Sequence, residues 1–237
     1  QVVPTLGFWL GAGVPPPLLL SAAELDPTLL AGPDTDVQHA QELRLWDEAA
    51  RLTRDRDFGL HLAEWVADCP EDLFDVFAFA LRSCATLGEH YRLAGRYIGL
   101  VHQGVYLRLE EEPDVARLVH GHTEEPSVPP RHPVEGMLAL ALLQGRRAIG
   151  EEFAPQAVCF THGRPEQVSE QERIFRAPVY YGCPRNELVL DGALLSRPQL
   201  RAEARLLAML DRQLSGLLSE LPENHSMVAS VRRCMMD

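Results

Sequence analysis

The hydrophobic period of this chain changes once, between Ile98 and Val105, and that change limits what it can fold into. Before it, apolar residues recur at helical spacing. From Gln38 to Leu52 the positions Leu43, Trp46, Ala49 and Ala50 form one stripe, with Glu42, Asp47 and Arg51 between them. Phe58 to Ala67 and Asp72 to Cys84 read as two further helices, the second apolar enough (Leu73, Phe74, Val76, Phe77, Phe79, Leu81) to be expected at the centre of the fold. After it, Val105-Tyr106-Leu107-Arg108-Leu109-Glu110 alternates strictly, as a strand with one wet face does.

Local signals divide the rest. Three pairs read as capping boxes, Ser21 with Glu24, Thr86 with Glu89 and Ser169 with Glu172, in which each side chain satisfies an orphan amide of the other's backbone. Asp26-Pro27 reads as an N-cap followed by a first-turn proline. Glu112-Pro113-Asp114 turns the alternating strand back into Val115–Gly121. Glu135 to Ile149 returns to a helix, and Val158–His162 is a short strand. Val179–Cys183 and Glu187–Leu190 predict a second hairpin turned at Pro184, and Gln199–Leu221 a long amphipathic helix. The expected fold is α+β: a helical N-terminal half followed by an antiparallel sheet of hairpins interleaved with helices. No regular β-α-β alternation and no repeat of fixed period occur, and the proline-rich stretch 126–133 reads as an internal loop.

Composition narrows the function. With 22 Lys+Arg against 34 Asp+Glu, the net charge of -12 repels a phosphate backbone, so the chain's general surface is not expected to hold DNA. The 46% hydrophobic content supports a packed core. Five widely spaced cysteines without a C-x-x-C pair favour reduced thiols and a cytoplasmic setting over a disulfide framework. No apolar run is long enough to cross a membrane. Dinucleotide, P-loop and nucleophile-elbow motifs are all missing, so no cofactor is expected and an enzyme is not the leading reading.

Histidines and aromatics supply the candidate chemistry. His120 and His122 lie two apart on a strand and therefore share a face. With His162 they could offer three imidazoles to a metal, or they could be ordinary strand-end histidines. Tyr106 and Arg108 share the face opposite Leu107, where a guanidinium could hold a carboxylate or simply meet solvent. Strand phase leaves His162 and Tyr181 as polar tips of otherwise apolar faces. Buried tips of that kind need partners from the protein or from a ligand.

Several segments together resemble a known family. Arg56-Asp57-Phe58-Gly59-Leu60-His61-Leu62-Ala63 is similar to the opening of the arabinose-binding-type sensor domain of AraC/XylS-family transcription regulators. The run from Arg82 to Glu89 is similar to that domain's next conserved stretch. Val158-Cys159-Phe160-Thr161-His162, then Phe175, Pro178–Tyr181, Asn186–Leu190 and finally Leu194–Pro198, match its later blocks in order and spacing. His90-Tyr91 and Tyr181 depart from the usual residues, which bears on pocket detail.

The resemblance implies an effector-sensing and dimerising domain over residues 1–225. Residues 226–237, with Val231-Arg232-Arg233, would lead toward a DNA-binding half outside this chain. The ligand-binding residues expected are His162, Tyr181 and, if its strand face turns inward, Arg108. They would lie between the sheet and the Asp72–Cys84 helix and hold a small effector that need not be arabinose. The alternatives are a stand-alone interaction module and a metal-dependent enzyme using His120, His122 and His162.

Overall fold

The structure, a computed structural model, describes residues 15–25, 39–68 and 75–221. The helical part comprises α1 (Pro16–Ala22), α2 (His39–Thr53), α3 (Phe58–Asp68), α4 (Asp75–Ser83) and α5 (Leu87–Val101). Then follow β1 (Val105–Glu111), β2 (Val115–His122), α6 (His132–Ile149), β3 (Ala157–Cys159), α7 (Ser169–Phe175), β4 (Val179–Tyr180) and β5 (Asn186–Asp191). A 3-10 turn (Gly192–Ser196) leads to α8 (Ala204–Glu220). This is the α+β architecture that the change of period predicts. No helix among the described residues is long and apolar enough to cross a membrane.

The strands form one sheet in the order β1-β2-β5-β3-β4. The β1–β2 hairpin is as expected, with Leu107 opposite His120 and Leu109 opposite Leu118. The second hairpin is not formed. β5 crosses to lie between β2 and β3, while β4 pairs with β3 in parallel, Val158 opposite Val179. The reason is α7, which lies between β3 and β4 in sequence and supplies the crossover that parallel strands require.

Of the three capping boxes, that of α5 forms: Thr86 accepts from the Glu89 amide at 3.2 Å, and Glu89 accepts from the Ala85 amide. Ser169 instead lies within the first turn of α7, with no side-chain cap at Val168. Ser21 lies at the end of α1, where Glu24 takes φ 57, so that pair closes a helix instead of opening one. Asp26-Pro27 and residues 226–237 lie outside the described residues.

The inner face of the sheet carries Val105, Leu107, Leu118, Leu188, Leu190 and Val158, all buried. It is covered by α5 and α6 and not, as expected, by the Asp72–Cys84 helix. Of that helix the described part, α4, packs instead against α8 and α5. The apolar residues of α4 meet those helices, so apolarity alone did not reveal which layer it occupies. A second, smaller core holds α1 and α2 against α3 through Leu19, Leu20, Leu45, Ala49, Phe58 and Leu62.

The helices α3 and α6 cross at glycines. A Cβ placed on Gly59 would come within 2.0 Å of the His132 carbonyl oxygen, and one on Gly136 within 2.8 Å of the Gly59 carbonyl. Both contacts are with backbone, which cannot swing aside as a side chain can. Gly59→Ala is therefore expected to cost at least about 3 kcal/mol through forced overpacking. Gly99, on α5, has nothing within 4 Å of its added Cβ. Gly99→Ala is expected to stabilise by roughly 0.5 kcal/mol by lowering unfolded-chain entropy in a helix. Urea unfolding of the two variants beside the parent chain measures both.

Candidate functional site

The α3–α6 crossing assembles a buried polar cluster. Asp57 immediately precedes α3, Arg131 stands at the N-cap of α6, and Glu135 lies in the first turn of α6, fully buried. The Arg131 guanidinium donates to Asp57 Oδ1 and, through Nε, to Glu135 Oε1 at 3.1 Å. Gln171, from the buried face of α7, donates through Nε2 to the same two acceptors, Asp57 Oδ1 at 3.1 Å and Glu135 Oε1 at 3.0 Å. Arg146 holds α7 in place. Buried on α6, it donates to the carbonyls of Phe153 (2.9 Å) and Ile174 (2.7 Å).

His162 and Tyr181 arrive from the sheet. Both continue the inner-face phase of their strands, past Val158 and Val179, and the chains stay paired there: the Gly182 amide donates to the His162 carbonyl at 3.0 Å. The two rings lie 5.7 Å apart and both stack on Phe160, at 4.9 Å and 6.0 Å. His162 is 5% exposed. Its Nδ1 lies 2.9 Å from the Gly163 carbonyl oxygen, which can only accept, so Nδ1 carries the proton. Nε2 comes within 3.5 Å of Glu135 Oε1 without making a hydrogen bond.

The electrostatics follow from burial. Desolvation pulls the His162 imidazole below its ordinary value, opposed by its bond to Gly163. Burial pushes the Glu135 carboxyl up, against the pull of Arg131 and Gln171. Burial, with the Glu135 charge, raises the Tyr181 hydroxyl to about 12. Among the described residues, four buried atoms of the cluster find no hydrogen-bond partner: His162 Nε2, Glu135 Oε2, Gln171 Oε1 and Tyr181 Oη. Each such atom costs a fold about 1–3 kcal/mol. The sum is large beside typical net stability.

The remaining candidates lie elsewhere. Arg108 and Tyr106 are exposed on the outer face of β1, where Arg108 pairs with Glu110 at 2.8 Å. The condition for Arg108 to approach the other two residues, an inward strand face, is thus not met. His120 and His122 share the inner face of β2 with rings 5.7 Å apart, but β5 separates their strand from β3 and His162. The three histidines do not form one centre.

Among the described residues, the trio whose ligand atoms do come together is His61, Glu64 and Glu170, within 4.8 Å. Arg173 already sits on both carboxylates, bridging Glu64 at 2.6 Å and Glu170 at 2.6 Å. Pairing with Asp55 at 2.7 Å, and with Glu170, raises His61 to about 9, so it is a cation at neutral pH and this cluster is an ion-pair clamp between α3 and α7. Strand phase points to His162 and Tyr181, which the structure brings together, and does not point to Glu135, Gln171, Arg131 and Asp57 beside them. A signal for Glu135 existed, since it shares one helical stripe with Leu138, Ala139 and Leu142, all fully buried.

Three comparisons bear on what this arrangement belongs to. The family model described as the arabinose-binding domain of AraC transcription regulators, N-terminal, matches residues 13–199. No curated protein matches the chain. The crystal structure of the transcriptional regulator CdpR from Pseudomonas aeruginosa is similar in fold, with a TM-score of 0.58 at 18% identity. The match covers 89% of this chain and 65% of that one. The chain thus spans 65% of that regulator's length.

The His61 clamp makes a testable demand on stability. His61 is raised in the folded chain from 6.5 to about 9, so its contribution is complete below 6.5 and is lost as pH rises through 9. With 36% of the side chain exposed, solvent screening reduces that contribution to about 1 kcal/mol. Unfolding free energies of the parent and His61→Gln should therefore differ by about this much at pH 6.5 and converge by pH 10. A constant difference across that window would refute the protonated clamp.

Proposed function

This chain belongs to the family of arabinose-binding N-terminal domains of AraC transcription regulators, and on that premise we propose that it senses a small effector at the Glu135–His162–Gln171–Tyr181 cluster. The observation that carries this reading is the set of four buried polar atoms without a partner among the described residues, gathered where α6, α7 and the ends of β3 and β4 meet. A site serving stability alone would be filled with apolar side chains, which avoid the cost of desolvating polar atoms. Atoms kept at that cost are suited to a ligand that completes their hydrogen bonds.

The cluster is also well placed to transmit binding. Its members come from the start of α6, the short helix α7 and two strand ends, and Arg131 and Gln171 tie them to Asp57 at the start of α3, so a ligand contacting them would favour one relative placement of α3, α6 and α7 over others. Such a difference in affinity between two arrangements is all that regulation requires. In this reading the output passes to a DNA-reading module carried elsewhere in the polypeptide, because the acidic chain itself is unsuited to holding DNA. Homodimerisation is part of the same proposal, and the apolar residues exposed on α8, Met209 and Leu217, are available for it. The effector's identity is not given by the family's name.

Fluorimetric melting of the chain against a collection of small metabolites tests the assignment. For a compound that raises the midpoint, His162→Ala and Tyr181→Phe are each expected to weaken binding by about tenfold or more, the scale of one lost buried hydrogen bond. Arg108→Ala, on the outer face, is expected to leave the shift unchanged. Undiminished shifts in both inner variants would remove this cluster as the effector site.

A further inference from the structure

We infer that the effector presents a primary ammonium group to this cluster, seated against Glu135 Oε2, Gln171 Oε1 and His162 Nε2. The inference rests on the effector site proposed above and adds the chemical class of its ligand. It follows from the donor and acceptor roles still open. Both hydrogens of the Gln171 amide are committed, one to Asp57 and one to Glu135, so only its carbonyl oxygen remains. The His162 proton is committed to the Gly163 carbonyl, which leaves a lone pair on Nε2. Glu135 Oε1 already accepts two N–H groups, and Oε2 has no partner. With Glu135 ionised, all three remaining atoms are acceptors, and the Tyr181 hydroxyl can act either way.

An acceptor-only head group such as a carboxylate or phosphate would meet three atoms of its own polarity. A hydroxyl brings one donor. A primary ammonium brings three donors and no acceptor, which matches what the cluster lacks. The charge agrees: Asp57 and Glu135 face only Arg131 within their hydrogen-bonded network, leaving one negative charge in excess. A cation beside Glu135 would also reverse the effect of burial, which disfavours the ionised carboxylate. The Tyr181 ring already holds one cation, the Arg164 guanidinium 5.7 Å from its centroid, which shows that this aromatic wall accepts positive charge. Gly163 and Gly182, the neighbours of His162 and Tyr181, are exposed, so the cluster lies close below the surface there.

The test uses the whole chain with ring-labelled histidine and tyrosine, and three probes sharing one carbon skeleton: n-pentylammonium, n-pentanol and n-pentanoate. Binding is followed by NMR through the ring signals of His162 and Tyr181, assigned with His162→Ala and Tyr181→Phe. Pentylammonium is expected to move both signals and to bind about tenfold or more tightly than pentanol, the gain expected from charge-assisted bonds, with pentanoate inactive. Glu135→Gln, which preserves shape, is expected to abolish that preference. If pentanol or pentanoate moves the same signals equally well, or the preference survives in Glu135→Gln, the ammonium assignment falls while the site stands. If no probe moves either ring, the ammonium assignment and the site fall together.

Discussion

The contact on which the rest of this structure depends is the crossing of α3 and α6, where Gly59 lies directly on the His132 backbone and Gly136 on that of Gly59. Side chains of ordinary size would hold two helices roughly 8–10 Å apart. Here their absence lets the helix starts meet, and the start of a helix is where backbone amides lack partners and acidic side chains are favoured. Asp57 and Glu135 stand at those two starts, and Arg131 between them joins both. The same approach leaves no room for Glu135 to reach solvent, so the polar cluster and the tight crossing have one origin.

The two faces of the sheet show why location, more than residue type, decides what a charge does. On the outer face Arg108, Glu110, Arg185, Glu187 and Arg117 form a chain of ion pairs at 2.7–3.5 Å, most of them partly open to water. Such pairs satisfy one another and contribute little individually. On the inner side Glu135 and Gln171 are fully buried, with Asp57 and Arg131 partly so, and the bonds of this network leave acceptors over. An unsatisfied buried polar group is costly in a low-dielectric interior, and its persistence points to a role beyond holding the fold together. The ion-pair clamp at His61, Glu64, Glu170 and Arg173 lies between these extremes: half-exposed, fully paired, and effective in tying α7 to α3.

Much of this architecture was legible in the residues. Strict alternation defined β1 and β2 to within a residue or two, and helical spacing defined α2, α3, α5 and α6. Strands of two or three residues such as β4 and β3 carry too little pattern to reveal their partners. Pro184 suggests a tight turn and hence a β4–β5 hairpin, whereas β4 pairs in parallel with β3 and β5 inserts between β2 and β3. The site was half legible. Strand phase put His162 and Tyr181 on the inner face, where they lie, and Arg108 on the face opposite Leu107, which proved to be the outer one. Glu135 and Gln171 were hidden because a polar residue in an amphipathic helix is read by default as solvent-facing. Their position on stripes that otherwise bury Leu138, Leu142, Ile174 and Phe175 is the clue that was available.

The central claim is that the inner cluster ends in acceptors, with His162 neutral and its proton on Nδ1. Nitrogen-15 NMR of the histidine ring reads that state directly. The account predicts that near pH 7 His162 shows a protonated Nδ1 and an unprotonated Nε2, as its bond to the Gly163 carbonyl and its burial require. A doubly protonated ring, or a proton on Nε2 directed at Glu135, would make His162 a donor to the cluster where an acceptor is claimed, and would contradict the account.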